Sequence, residues 1–292
     1  MEEQPTNHKE NQHTIVESSD QANHSGSESS EIFKIAIQRG IQRINHPGLE
    51  MVVAGLIAGM NVVFGALAAA AVAGAVIASF GESHSVLAEV AGAVVFPIGF
   101  ILVVIGRSEL FTENFLVPTT AVIAGRARVR DLLKLWSLTL IGNMIGAIII
   151  AKMLSLEFYH GVPAADTVKH IQQVAEFLTL ERDWDASFVS AIFAGWLITL
   201  MTWLLLTTDN TLSKIAIIWC VGFMIMLNKF NHVIVNASEI LMAIFSGNPN
   251  ITYAIWLQHN FVPTILGNII GGLVFVTLLE YVKVIKYQER WK

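Results

Sequence analysis

What this sequence has least of is charge. Asp, Glu, Lys and Arg make up 14% of its 292 residues, well below the ~25% of an ordinary soluble domain. It has one cysteine, Cys220, which excludes an intrachain disulfide, and its apolar neighbours predict a packing role. The first 31 residues lack the basic start and apolar core of a signal peptide, so the first apolar segment is expected to serve as the insertion signal. That tail carries seven acids against Lys9 and reads as disordered, which also accounts for much of the net charge of −5. His8, His13 and His24 lie in it and are read as solvated rather than metal-binding. No metal, cofactor or nucleic-acid partner is predicted.

What fills the chain instead is apolar. With 54% hydrophobic residues and a mean hydropathy of +0.58, the composition is that of an all-α, polytopic membrane protein. Residues 32–46 place Phe33, Ile37, Ile41 and Ile44 on one helical face, with Lys34, Arg39 and Arg43 elsewhere, which predicts an amphipathic helix in the cytoplasmic interface. Apolar segments follow at about 51–80, 86–125, 135–155, 186–207, 215–246 and 262–285, within a transporter domain spanning 47–288. Crossing ~30 Å of hydrocarbon takes about 20 residues, so the second and fifth segments are too long for plain helices. Residues 289–292 form the expected cytoplasmic end.

Loop charge sets the crossing number. Arg126, Arg128, Arg130 and Lys134 follow the second segment, six acids dominate 156–185, and Lys283, Lys286, Arg290 and Lys292 close the chain. Basic loops stay in the cytoplasm. Six crossings with both termini inside satisfy this, provided the second and fifth segments are single broken helices.

A repeat supports that reading. Gly142-Asn143-Met144-Ile145-Gly146 in the third segment matches Gly267-Asn268-Ile269-Ile270-Gly271 in the sixth. Three helices per half put the halves in opposite orientation, the inverted-repeat plan whose site lies where the breaks meet. Each break is polar: Gly106-Arg107-Ser108-Glu109-Leu110-Phe111-Thr112-Glu113-Asn114, and Asn228-Lys229-Phe230-Asn231-His232-Val233-Ile234-Val235-Asn236. Such backbone is tolerated in a membrane only inside protein or along a water-filled path. His232 is the group suited to carry a proton near neutrality, with Asn236 one turn beyond and Thr112 at the other break. Freed N–H groups at the half-helix starts favour an anion, and Lys229 and Arg107 add to that field if they face vestibules.

These two breaks, with Asn260-Phe261-Val262-Pro263 opening the last helix, resemble the formate/nitrite transporters over residues 33–288. The resemblance implies an aquaporin-like protomer in a homopentamer, with one pore per subunit, in a bacterial or archaeal cytoplasmic membrane. Carried over by position, it makes His232 the central histidine, Thr112 the threonine facing it and Asn236 the polar neighbour. It assigns Leu110, Phe111 and Ile198 to one apolar constriction and Phe100 with Ile225 to the other. Gly195 stands where formate-active members carry asparagine, and the charges at Arg107, Glu109, Glu113 and Lys229 depart from the family's small neutral residues. The implied function is passage of a small weak-acid anion such as formate or nitrite, accompanied by a proton. The apolar rings exclude the bare anion by desolvation cost, and basic groups concentrate it in the vestibule. Two other classes share features with this reading: a neutral-solute channel, and an intramembrane serine hydrolase using Ser108 and His232, since Gly106-Arg107-Ser108 is part of a nucleophile motif.

Overall fold

The computed structural model describes residues 28–160 and 165–290, and all regular structure among them is helical. Residues 1–27 of the tail and the last two residues lie outside this range. Helix α1 spans 28–44, four residues earlier than the pattern predicts. Its apolar face holds, with Phe33 and Ile44 buried. The long apolar helix α2 (Gly48–Phe80) comes next, then α3 (Ser85–Val95), α4 (Ile98–Ile105), α5 (Val117–Ile123) and α6 (Val129–Tyr159). The second half contains α7 (Ala165–Glu176), α8 (Trp184–Leu205), α9 (Thr211–Leu227) and α10 (Val233–Phe245). The last stretch is α11 (Tyr253–Trp256), α12 (Val262–Gly272) and α13 (Leu279–Arg290), joined by π-helical turns.

Among the described residues, five helical stretches are long and apolar enough to cross a membrane: Gly48–Phe80, Glu82–Ile105, Val129–Phe158, Trp184–Leu205 and Tyr253–Ile285. The apolar helices α9 and α10 are shorter. The outward faces of the long spans leave Phe64, Ile141, Ile145, Phe193 and Leu266 exposed, as surfaces solvated by hydrocarbon require. Cys220 is also exposed on α9, so its predicted packing role is wrong. The apolar run around it reflects an outward surface rather than a core.

Two helix pairs organise the interior, α2 along α6 and α8 along α12. The Gly-Asn-x-Ile-Gly repeat lies at both crossings. Gly142 and Gly146 of α6 sit on the backbone of Val52 and Leu56, and Gly267 and Gly271 of α12 sit on Phe188 and Ile192. Facing them, Gly59 of α2 abuts the Asn143 carbonyl and Gly195 of α8 abuts that of Asn268. The spacing from Val52 to Phe188 is the spacing from Gly59 to Gly195, so the two crossings match residue by residue along α2 and α8. A Cβ on Gly195 would collide with the Asn268 backbone, so this crossing has no room for a side chain there. Gly195→Ala should cost about 1–3 kcal/mol through overpacking, read as a lower melting temperature in detergent.

On the rim, Asn248 and Asn250 donate to Glu176 Oε1 at 2.9 and 3.0 Å, tying α7 to the loop before α11. These bonds hold the Glu176 carboxyl below its ordinary range. A depressed carboxylate contributes stability above its unfolded pKa and loses it as pH falls through the folded value. Asn248→Ala should therefore raise the Glu176 titration midpoint, measurable by carboxyl-resolved NMR, and loosen this contact at a less acidic pH.

Candidate functional site

The site forms where two irregular segments meet, 106–116 between α4 and α5 and 228–232 between α9 and α10. They begin alike. Arg107 and Lys229 both take left-handed backbone, with φ of 56° and 50°, a conformation costing non-glycine residues roughly 1–2 kcal/mol. The N–H groups of Ser108 and Phe230 return to Val103 and Ile225, closing α4 and α9 with the same turn.

The repeat asparagines then fix both segments. Asn143 Oδ1 accepts the Phe111 N–H at 2.8 Å, and its Nδ2 donates to the carbonyls of Gly55 and Glu109 at 2.7 and 3.0 Å. Asn268 Oδ1 accepts the Val233 N–H at 3.0 Å, and its Nδ2 donates to the carbonyls of Ala191 and Asn231, both at 2.8 Å. Sequence reading used this motif only as the mark of a repeat and gave its amide no role. The signal was there, an identical polar residue between packing glycines in two apolar helices.

Two arginines brace the segments from outside the repeat. Arg43 of α1 donates to Asn114 Oδ1 at 3.0 Å and pairs with Glu109 at 3.3 Å. Arg182 donates through one nitrogen to Ser190 Oγ, the Lys229 carbonyl and Asn231 Oδ1 at 3.0, 2.9 and 2.6 Å.

Between these supports, His232 and Thr112 meet, both fully buried. Nε2 of His232 lies 2.7 Å from Thr112 Oγ1. Nδ1 accepts the Val235 N–H at 3.3 Å, capping α10, so in the neutral ring Nε2 carries the hydrogen and donates it to Thr112. The Phe100 ring meets the imidazole edge-on at 5.5 Å. Phe100, Leu110, Phe111, Ile198 and Ile225 all belong to one buried apolar cluster around this pair. Phe111 and Phe115 extend it edge-to-face to Trp136.

Several expectations are corrected here. Four of the N–H groups at the half-helix starts are not free: those of Leu110, Phe111, Val233 and Val235 are bonded to Glu113, Asn143, Asn268 and His232. Lys229 lines the vestibule described next, whereas Arg107, at the other break, is exposed outside it. Ser108 Oγ donates to the Val103 carbonyl, while His232 is engaged by Thr112, so no serine–histidine pair exists. Among the described residues, no group of three or more His, Cys, Asp or Glu is placed to hold a metal.

A vestibule of about 480 Å³ opens beside α10, with Ile225, Phe96 and Asn236 in its wall. It is not basic. Glu82, Glu89, Glu176, Glu181 and Glu239 line it, with Lys229 and His170. Lys229 is neutralised by Glu89 at 2.6 Å and lies over the Phe177 ring. Burial, followed by the Lys229 charge, holds His170 below its ordinary range. Asn236 Nδ2 is buried with no hydrogen-bond partner.

The family model for formate/nitrite transporters matches residues 30–282. The chain belongs to the formate/nitrite transporter family. It is 31% identical over 256 residues to the "Uncharacterized transporter YrhG" of Bacillus subtilis, covering 86% of this chain and 91% of that one. It is 31% identical over 251 residues to the "Probable formate transporter" of Methanothermobacter thermautotrophicus, covering 81% and 89%. Among solved structures, a "Pentameric formate channel with formate bound" superposes with a TM-score of 0.70 at 19% identity, covering 82% of this chain and 98% of that one. These relatives are transporters and channels, not enzymes, and this family member is a multi-pass membrane protein.

Proposed function

We propose that this formate/nitrite transporter homologue carries a small monovalent weak acid across the membrane, with a proton accompanying the anion past His232. The observation that carries the proposal is the 2.7 Å contact between His232 and Thr112, a titratable group bridging two polar segments inside an otherwise apolar cluster. A bare anion in that cluster would lose its hydration without replacement. A neutral acid avoids this cost. The apolar residues Leu110, Phe111 and Ile198 on one side, with Phe100 and Ile225 on the other, act as the two barriers; Thr112 offers a polar group between them and Asn236 one at the vestibule side.

In this reading α3, α4 and α5 together form the second of six crossings and α9 with α10 the fifth, each broken at its irregular segment. The matched packing of α2 on α6 and of α8 on α12 supports an aquaporin-like inverted repeat. The basic loop at Arg126–Arg130 puts it and both termini in the cytoplasm of a bacterial or archaeal cell, with α1 along the inner interface. The solved pentameric formate channel is the precedent for five copies, each with its own pore.

Proteoliposomes holding the purified protein, screened with formate, nitrite, acetate, lactate and hydrosulfide with and without a pH gradient, test this. One or more of these should enter faster when the gradient supplies protons. Passage of water or glycerol with no weak-acid flux would instead assign a neutral-solute channel.

A further inference from the structure

Among the described residues, Glu239 is the one buried carboxyl of the vestibule, and nothing engages it. Glu239 of α10 is 7% exposed, lines the vestibule, and has no hydrogen-bond or ion-pair partner among the described residues. It lies one turn beyond Asn236, whose Nδ2 is also unpartnered. An α-helix brings residues three apart onto one face. The two side chains thus give the vestibule floor an amide donor and an acid, the pair needed to receive a carboxylate or a similar oxyanion.

We infer that Glu239 is the proton-loading group of this vestibule, handing a proton to the incoming anion before it enters the apolar cluster around His232. This rests on the weak-acid reading above and adds a step to it. The O–H bond of the Glu239 carboxylic acid breaks, an O–H bond forms on the anion, and Asn236 Nδ2 donates to the anion's second oxygen. The neutral acid moves on, and the Glu239 carboxylate regains a proton from vestibule water. Passage the other way reverses each step.

The surroundings favour this. The charged and titratable groups facing the same vestibule are Glu82, Glu89, Glu181, and His170 and Glu176 from α7, with Lys229. Lys229 is already paired with Glu89. The remaining carboxylates draw protons in and oppose accumulation of bare anion, so an anion is best served by losing its charge there. From α6, Lys152 lies over the Phe245 ring, 5.3 Å from its centre, at the far end of α10. His259, in the turn before α12, is exposed. Both nitrogens of His232 are bonded within the protein, whereas Glu239 is free to act without breaking a structural bond.

The test uses the full-length protein in proteoliposomes and the weak acid that the wild type carries fastest. With the vestibule side near neutral pH, Glu239→Gln should lower flux by about a hundredfold, the lower end of what a positioned proton donor contributes. The deficit should narrow as that side is brought to about pH 5, where more acid arrives already protonated. Glu239→Asp should lie closer to wild type. Dicyclohexylcarbodiimide, which attacks protonated carboxyls in apolar surroundings, should label Glu239 in the wild type, and the cognate acid should protect it. Equal flux in wild type and Glu239→Gln at every pH, or a loss independent of pH, would overturn the inference while leaving weak-acid transport standing. If the glutamine variant does not fold, failure of the carbodiimide to label wild-type Glu239 overturns it. Absence of weak-acid flux in the wild type would instead overturn the underlying reading, and the inference with it.

Discussion

His232→Asn should reduce weak-acid flux by about two orders of magnitude and leave the protein folded. Asparagine is among the best helix N-caps, so it can take the Val235 N–H that Nδ1 now accepts, and its amide can reach toward Thr112. What it lacks is a titratable nitrogen. The residual flux should therefore also lose whatever pH dependence the ring contributes. Thr112→Val should act differently. It removes the acceptor for Nε2–H, leaving a buried donor unsatisfied at about 1–3 kcal/mol, yet keeps the titrating ring. Flux should fall less and the pH dependence survive. Initial uptake rates at several pH values separate the two variants.

The second large effect is on stability. Asn268→Ala removes three buried hydrogen bonds together, to Val233, Ala191 and Asn231. The Val233 N–H at the start of α10 then has no partner. The cost should be about 2–5 kcal/mol, read as a substantially lower melting temperature in detergent. Asn143→Ala should cost a similar amount through Phe111, Gly55 and Glu109. Equal losses at two positions 125 residues apart would express the internal repeat in energetic form. Asn268→Asp should fall between, because the carboxylate keeps the acceptor for Val233 and loses the donor to the two carbonyls.

How much of this was legible in the sequence depended on the range of the interaction. The membrane class followed from composition, since lipid-facing surfaces and a packed interior are both apolar. The repeat was visible because the same close helix crossing is built twice, and His232 and Thr112 drew notice because polar residues are conspicuous in apolar runs. The amides of Asn143 and Asn268 were harder to assign, because the segments they hold lie 32 to 37 residues away and nothing local announces the contact. Arg43 and Arg182 were missed as braces for the same reason. Each reaches its partners from outside the apolar segments, 71 and 49 residues away.

The vestibule's sign was misjudged because charge was counted along the chain rather than in space. Lys229 stands beside His232 in sequence, but the fold gives it to Glu89, 140 residues away. Glu82, Glu89, Glu176, Glu181 and Glu239 come from separate elements and converge only when folded. Cys220 failed in the opposite direction. In a lipid-solvated protein an apolar neighbourhood does not imply burial, so hydropathy alone could not say which face of α9 points outward.

The central claim is that each anion crosses with a proton. Its most direct measurement is the internal pH of proteoliposomes, followed with an entrapped dye while uptake of the cognate radiolabelled acid is counted, under a potential clamped at zero with potassium and valinomycin. The account predicts internal acidification matching uptake at one proton per anion, and no net current. Anion uptake without acidification, carrying current that follows an imposed potential, would contradict it.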